Sequence, residues 1–414
     1  MLRSLFSAVS GLRSHQTMMD VVGNNIANVN TAGFKSSQTV FEDTLSQMVA
    51  GAGAPQGGAG GTNPAQVGLG TRVGAITTNF AQGASQLTGR PTDVAIQGDG
   101  FFVVKRGAEQ LYSRAGSFSF DASGNLTNPD GGIVQGWMAQ GGVINSNAPV
   151  SGLKLPIGQT LPPTQTTNVD LGGNLPADAA VGTKIVSSIT VYDAQGTAIP
   201  TSFVFDKTAT DTWSVTATMP NANGSTPPAT AGTATLAWNA ATGKFGATSM
   251  TLNPPASVGT FGAGGVNVNL GTAQNSLTQF AAVNSVSALD QDGAAMGTLT
   301  SFTLGGDGTL VGVFSNGLKQ PLGKVALANF NNPPGLEKVG GSLYRDSVNS
   351  GVANVGVPGG NGRGQLVSGS LEMSNVDLAQ EFSNLIVAQR GFQANSRVIT
   401  TSDQILQDVV DLKR

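Results

Sequence analysis

Several residue types are missing or scarce in this chain of 414 residues. It has no cysteine, which excludes disulfide bonds, thiolate metal ligands and cysteine nucleophiles. Its one histidine, His15, excludes a zinc site built from several histidines and leaves a single imidazole for acid–base chemistry. Charged residues make up only 11% of the chain, whereas about 25% is usual. Glycine and small polar residues take their place, a composition common in β-rich extracellular and fibrous proteins.

Charge and hydropathy argue against binding to nucleic acid and against insertion into a membrane. The net charge is −3 and no basic cluster is present, whereas nucleic-acid binding needs many phosphate contacts. No apolar run reaches the 18 or so residues of a membrane-spanning helix, so we expect no membrane insertion. Polar residues interrupt the first segment, so we expect no cleaved Sec signal and any export to use another route.

What the sequence does contain is a periodic apolar pattern at each end. Residues 2–29 carry apolar side chains three or four apart, which predicts an amphipathic helix or a coiled-coil seam. Its members are Leu5, Val9, Leu12, Met19, Val22, Ile26 and Val29. In the last forty residues, apolar side chains recur at every seventh position, which favours supercoiling against a partner helix. This second stripe consists of Leu378, Leu385, Phe392, Ile399 and Leu406, with Phe382 and Val410 beside them. Acidic side chains on this helix argue against a membrane-surface role and for a protein–protein seam.

The interior lacks this helical period. Short alternating runs, bounded by Asp-Gly and Asn-Gly turn pairs, predict β-strands joined by hairpins. The predicted strands include Phe101–Val104, Ser117–Phe120, Ile185–Tyr192, Thr201–Phe205 and Val325–Phe330.

Changes in composition predict a nested arrangement of domains. Residues 50–70 are nearly all glycine, alanine and small polar residues, and only nine charged residues lie between 146 and 285. We therefore expect a mainly β fold with nested β-domains of sandwich or barrel type, and paired terminal helices forming a coiled-coil-like inner domain. The predicted parts are terminal helices at 1–32 and 368–414, linkers at 33–70 and 350–367, a first β-domain at 71–145 and 286–349, and an inserted outer β-domain at 146–285.

Candidate catalytic groups are weak. Asp93 with Asp99, or Asp290 with Asp292, could form carboxylate pairs, but each lies in a glycine-containing turn where aspartate is common for local reasons. The glycine-rich stretch 68–74 misses the dinucleotide-binding spacing and follows no predicted strand. We therefore expect no catalytic residue, no cofactor and no metal site.

The first helix ends in a distinctive run, residues 24–35, whose letters are NNIANVNTAGFK. Asn24 and Asn28 lie one turn apart and offer uncharged donors and acceptors to another helix. Gly33 can adopt the left-handed conformation that stops a helix. The run resembles the N-terminal signature of the bacterial flagellar rod and hook proteins almost letter for letter. Its matching positions are Asn24, Asn25, Ile26, Ala27, Asn28, Asn30, Thr31, Gly33, Phe34 and Lys35.

Further segments are similar to the same family. They lie at residues 93–104, 112–118, 121–126, 330–344, 369–378 and 389–395. The likeness covers roughly the first 145 and the last 130 residues, and the insertion between them is only weakly similar.

The resemblance implies a structural subunit of a hollow, helical homopolymer. The family layout implies that the paired terminal helices line the channel and that the inserted domain lies outermost. Length and the large insertion favour a subunit of the hook, the curved flexible joint that transmits motor torque from rod to filament. The resemblance further implies partners and a location outside the cell in the hook of the basal body. The implied partners are other copies of the chain, the distal rod protein, the hook cap protein, the hook–filament junction protein and the flagellar type III export apparatus.

Two alternatives remain open. A distal-rod subunit of the same family would share every terminal motif but build a straight tube. A β-rich surface or tail-fibre-like protein would explain the composition without the terminal signatures.

Overall fold

The computed structural model describes residues 2–55, 57, 60–156, 158, 160–220, 228–255, 258–262, 264–271 and 276–411. Residue 1 and residues 412–414 of the predicted helical domain lie outside these ranges. Helix α1 spans Leu2–Ala27, and helix α2 spans Leu378–Asp411. The chain divides into a first unit of Met1–Leu155, Thr303–Val311 and Pro321–Arg414, and a second unit of Pro156–Phe302 and Gly312–Gln320.

Between the helices the regular elements of the described chain are β-strands, apart from one short 3-10 turn. Up to residue 152 the strands are β1 Ser37–Asp43, β2 Ser46–Ala50, β3 Ala65–Gly68, β4 Thr71–Thr78, β5 Ser85–Leu87, β6 Val94–Gln97, β7 Phe101–Arg106, β8 Glu109–Ser113, β9 Ser119–Phe120, β10 Leu126–Thr127, β11 Ile133–Gln140, β12 Val143–Ile144 and β13 Ser151–Gly152. From there to residue 291 they are β14 Thr160–Leu161, β15 Asn168–Asn174, β16 Lys184–Tyr192, β17 Ala198–Ala209, β18 Thr212–Met219, β19 Ala229–Asn239, β20 Lys244–Phe245, β21 Ser249–Leu252, β22 Val266–Asn269, β23 Leu277–Thr278 and β24 Ser287–Gln291. The remaining strands are β25 Gly297–Leu304, β26 Thr309–Phe314, β27 Lys319–Val325, β28 Leu327–Asn329, β29 Glu337–Gly340, β30 Leu343–Arg345, β31 Asn354–Gly356, β32 Gln365–Ser368 and β33 Ser370–Glu372, with a 3-10 turn at Pro333–Gly335.

The first unit is built around a mixed set of hairpins and long-range pairings. Its main sheet has the order β27-β11-β7-β8-β30-β29, and β28 also pairs with β7. Two apolar clusters fill it. One surrounds Phe102 and Phe118, and the other surrounds Phe101, Tyr112 and Tyr344. Strands from both ends of the chain therefore share this core.

Residues 33–70 contain strands, although their glycine-rich composition predicts a linker. β1 pairs antiparallel with β4, so that Ser37 lies opposite Thr78 and Asp43 opposite Thr71. β2 pairs with β3 in a second ribbon. Both ribbons are largely exposed. Backbone pairing rather than burial gives them their regular structure.

The second unit has a single apolar core between two sheets. β16 to β20 form an antiparallel meander, and β15, β21, β22, β23 and β24 form the other sheet. Side chains alternate between buried and partly exposed along β18, the period-two pattern of a strand with one face inward. Phe203, Phe205 and Trp213 are fully buried in this core. The predicted mainly β fold with nested β-domains and paired terminal helices is confirmed.

Candidate functional site at the meeting of the chain ends

The two terminal helices pack against each other in an antiparallel pair. Asn25 lies beside Glu381, His15 beside Gly391 and Gly11 beside Asn395, so the numbering of one helix rises as the other falls. A Cβ on Gly391 would lie 2.5 Å from His15 Cε1, and one on Gly11 would lie 2.8 Å from Asn395 Nδ2. The helices therefore approach each other over glycines and other small residues.

The buried residues of this seam differ from the predicted apolar stripes except at Val22. On α2, Glu381, Ala388 and Ser402 are buried, a sevenfold repeat of small or polar residues that sequence reasoning missed. The large apolar residues of α2 flank this seam. Leu378, Phe382, Phe392, Leu406 and Val410 are 36–67% exposed, and Leu385 and Ile399 are half-buried. On α1, Val22 is buried, while Leu5, Val9, Leu12, Met19 and Ile26 are half-buried, as is Val29, which follows the helix.

Asn25 is the signature residue that joins the two helices. Its side chain is fully buried. Nδ2 donates to Ser37 O at 2.8 Å and to Glu381 Oε1 at 3.0 Å, while Oδ1 accepts from Ser37 N at 3.0 Å. Asn24 and Asn28, the residues predicted to contact another helix, instead bond each other, since Asn28 Nδ2 donates to Asn24 Oδ1 at 2.9 Å.

Gly33 has a different role from the predicted one. Its φ of +69° is left-handed as expected, but α1 already ends at Ala27, so the glycine does not stop the helix. A Cβ here would lie 2.5 Å from Ala115 N. Gly33 N also donates to Glu372 O at 2.7 Å. The close approach of three backbone segments requires glycine at this position.

Beside Gly33 lies a cluster of three buried charges that we call the junction triad: Lys35, Arg114 and Glu372. Lys35 Nζ lies 2.6 Å from Glu372 Oε1, and Arg114 Nη1 lies 3.4 Å from Glu372 Oε2. Their side chains are 0–2% exposed. The triad connects the N-terminal signature, the end of β8 and strand β33, which leads to α2.

Backbone groups add further bonds to the junction triad. Lys35 Nζ donates to Ala81 O at 2.8 Å, and Glu372 Oε1 accepts from Gly83 N at 2.9 Å. Arg114 Nη1 donates to Gly98 O at 2.9 Å, while Arg114 Nε has no partner among the described residues. Each buried charge thus has at least one backbone partner in addition to its counter-ion.

Burial governs the electrostatics of the triad. It lowers the pKa of Lys35, and the hydrogen bond to Glu372 opposes that shift. It also lowers the pKa of Arg114, against the attraction of Glu372. The Arg114 guanidinium lies over the Phe101 ring, 5.4 Å from its centroid. The neighbouring Tyr344 hydroxyl has its pKa raised by burial.

Asn375 extends the network toward the start of α2. Its Oδ1 accepts from Ser36 N at 2.8 Å, and its Nδ2 donates to Asn79 O at 2.8 Å and to Ala81 O at 3.1 Å. Together with Asn25 and the junction triad, it ties α1, the chain after it, the segment after β4 and the start of α2 to one another. The arrangement joins the helix pair firmly to the β-structure of the first unit.

One of the candidate carboxylates, Asp292, has a structural explanation, whereas Asp93 is buried and its Oδ1 has no partner among the described residues. Asp292 Oδ1 accepts from Thr167 N at 2.7 Å and from Asn168 N at 2.9 Å, so this carboxylate anchors a neighbouring strand within the second unit. Among the described residues, no group of three potential metal ligands is gathered. No helix in the described ranges has the length and apolar character needed to cross a membrane.

Comparison with known sequences decides the family. Four family models match: the basal body rod protein model at residues 5–35, the hook protein FlgE/F/G D1 domain at 95–175, the FlaE D2 domain at 160–294 and the FlgEFG C-terminal model at 367–412. The flagellar hook protein FlgE of Borreliella burgdorferi is 42% identical, and that of Treponema pallidum 40%, each over the full length of both chains. The chain belongs to the flagellar hook and basal-body rod protein family.

The family resemblance read from the terminal signatures is thereby confirmed. Because this is a family of structural flagellar proteins, the prediction that the chain is not an enzyme is also confirmed. The flagellar basal-body rod protein FlgG of Bacillus subtilis is 33% identical over the full length of both chains. A crystal structure of the Helicobacter pylori hook protein FlgE2 shares the fold, with a TM-score of 0.53 at 16% identity, covering 70% of this chain and all of that one.

Proposed function

We propose that this chain is the structural subunit of a bacterial flagellar hook, the curved hollow tube that transmits torque from rod to filament. The observation that carries the proposal is identity of 42% and 40%, over full length, to two proteins named as hook subunits. The match to the D2 domain model over residues 160–294 supports it as well. The subunit would polymerise with its helices toward the channel and its inserted domain on the outside.

The exposed apolar residues of α2 suit the intersubunit contacts of such a tube. Phe382 is 50% exposed and Val410 67% exposed in the single chain, although both lie on the predicted stripe. Burying a large apolar side chain contributes roughly 1.5–3 kcal/mol. We propose that neighbouring copies cover this stripe, so that the predicted heptad pattern serves packing between subunits as well as within one chain.

The junction triad suits the transmission of torque. A joint must pass load from its helices to its β-domains without letting the two separate. Buried charges resist such separation because a broken pair leaves uncompensated charge in an apolar site.

A rod subunit is the second candidate. The full-length relative from Bacillus subtilis that is 33% identical bears the name of a rod protein. Its identity is lower than that of the two hook proteins, which favours the hook.

We propose partners and a location consistent with a hook subunit. They are other copies of the chain, the distal rod protein at one end of the tube, the hook cap protein during growth and the hook–filament junction protein at the other end. We further propose export by the flagellar type III apparatus, without a cleaved Sec signal, and a position outside the cell.

Deleting the gene and imaging the remaining basal bodies by negative-stain electron microscopy tests the proposal. We expect complete rods without hooks, and restored hooks when the intact gene is returned on a plasmid. Rods that stop short would make the chain a rod subunit. Normal flagella would contradict both assignments.

A further inference from the structure

A groove of about 430 Å³ opens in the first unit between α1, the beginning of β1 and the start of α2. Its apolar wall consists of Met18, Val21 and Val22 from α1. Its polar wall includes Thr39, Asp377, Gln380 and Glu381. The groove thus combines an apolar side with a strongly hydrogen-bonding side.

The charge of this groove is entirely negative. Asp377 and Glu381 line it, and no lysine or arginine does. Asp377 Oδ1 already accepts from Ala379 N at 2.9 Å, at the beginning of α2. Asp377 is exposed to water, so Glu381 is the buried carboxylate of this groove.

Glu381 is 9% exposed and only half satisfied. Its Oε1 accepts from Asn25 Nδ2 at 3.0 Å, whereas its Oε2 has no partner among the described residues. Thr39 Oγ1, in the same lining, also has none there. A buried carboxylate oxygen without a protein donor is costly, so a donor that enters the groove would be stabilised there.

The basic side chains of the terminal helices that could bond Glu381 are arginines. α1 and α2 contain no lysine but four exposed arginines, namely Arg3, Arg13, Arg390 and Arg397. None of them belongs to an ion pair within the described ranges. An arginine can lay its aliphatic stem on an apolar wall while its guanidinium bonds a carboxylate, and the groove presents both.

None of the four lines the groove of its own chain, whereas self-assembly would bring the terminal helices of other copies within reach of it. We propose that this groove receives an arginine side chain from the terminal helices of a second copy, with Glu381 as its carboxylate partner. The inference rests on the proposed self-assembly and specifies one contact within it.

A lysine placed on the groove wall tests the proposal. Gln380 is exposed and lines the groove, whereas Gln404 is exposed on the same helix and does not. We expect Gln380→Lys to raise the critical concentration for tube formation by about tenfold or more, because like charges would meet across the interface. Gln404→Lys should leave that concentration within about twofold. Circular dichroism of both monomers should match wild type.

A second change identifies the partner arginine. In a Glu381→Lys background, which reverses the charge of the proposed partner itself, replacing one of the four arginines by glutamate should restore assembly, because the pair then forms with its charges exchanged. Wild-type assembly by Gln380→Lys, or failure of all four reversals to restore assembly of Glu381→Lys, would overturn the proposal.

The absence of native cysteine allows a direct check by cross-linking. Gln380→Cys combined with cysteine at the restoring position should give disulfide-linked ladders in tubes and none in monomers. Each single-cysteine variant should give no ladder, and the lack of ladders from the double variant would overturn the proposal. If the wild-type chain forms no tube and its deletion leaves flagella intact, the proposed function itself fails, which is a distinguishable result.

Discussion

The junction of the chain ends and the core of the second unit bury their side chains in opposite ways. The second unit buries Phe203, Phe205 and Trp213 in one apolar core between two sheets. The junction buries Lys35, Arg114 and Glu372, which come from segments far apart in the chain. Apolar burial stabilises without direction, whereas a buried ion pair is favourable only in one geometry. We infer that the core supplies stability and that the junction triad specifies which segments meet.

The buried lysine of the second unit sharpens this contrast. Lys207 is 4% exposed and donates to Ala177 O at 2.7 Å and to Ala179 O at 2.8 Å. It lies over the ring of Trp213, and it forms no ion pair within the described ranges. Lys207, bound by the carbonyls of Ala177 and Ala179, holds together two segments about 30 residues apart. The three charges of the junction triad instead hold together segments that are hundreds of residues apart.

Removing Glu372 should have the largest effect. Glu372→Gln leaves Lys35 and Arg114 buried without an acid, which should destabilise the first unit by about 3–5 kcal/mol. Hydrogen exchange of the β7 and β8 amides measures this loss, because it reports the opening of one region at a time. The β17 and β18 amides of the second unit should keep their protection.

An exposed ion pair supplies the matched control. Glu42, whose side chain is 50% exposed, pairs with Arg72 at 3.1 Å. Glu42→Gln should therefore cost less than about 1 kcal/mol. Equal losses from Glu372→Gln and Glu42→Gln would contradict the structural role of the junction triad.

The glycines of the helix seam should show a smaller effect. Gly391→Ala places a Cβ 2.5 Å from His15 Cε1 and should cost about 1–3 kcal/mol, because the imidazole must shift within the packed helix pair. At Gly23 nothing lies within 4 Å of a new Cβ, so Gly23→Ala should stabilise α1 by up to about 1 kcal/mol. Thermal unfolding followed by circular dichroism measures both. If Gly391→Ala is as harmless as Gly23→Ala, the imidazole of His15 is not held in place by the helix pair.

Much of the fold could be predicted from local patterns. Helical periodicity placed α1 and α2, and turn pairs with alternating runs predicted strands such as β7 and β16. These features depend on neighbours in sequence, which a single chain displays directly. The strands within residues 33–70 were missed because most of their residues are polar or exposed and the adjoining stretch 50–70 is rich in glycine.

The contacts between the terminal helices and within the junction triad could not be predicted from local patterns. A heptad pattern identifies a helix face for burial but not the partner that covers it. The helix pair uses Ala388 and Gly391, whose small size permits close approach and gives no apolar signal. The family signature drew attention to Lys35, but its pairing with Glu372 links residues 337 positions apart, for which the sequence has no local sign.

An exposed carboxylate completes the comparison and should have the smallest effect. Asp307 Oδ2 accepts from Thr309 Oγ1 at 2.6 Å and from Lys324 Nζ at 3.0 Å, and its side chain is 60% exposed. The hydrogen bond from Thr309, helped by Lys324, lowers the pKa of Asp307 from 3.8 to about 2. Because the folded pKa is below the unfolded one, this stabilisation is present above pH 3.8 and is lost as the pH falls toward 2.

The Asp307→Asn variant isolates that contribution. The difference in unfolding free energy between wild type and variant should stay below about 1 kcal/mol at pH 6, since water screens an exposed group. The difference should shrink toward zero between pH 4 and pH 2. Urea unfolding at a series of pH values measures it, and Lys324→Met should reproduce only part of the loss because Thr309 still donates. A difference that persists unchanged at pH 2 would show that Asp307 acts through the shape of its turn rather than through its charge, unlike the buried charges of the junction triad.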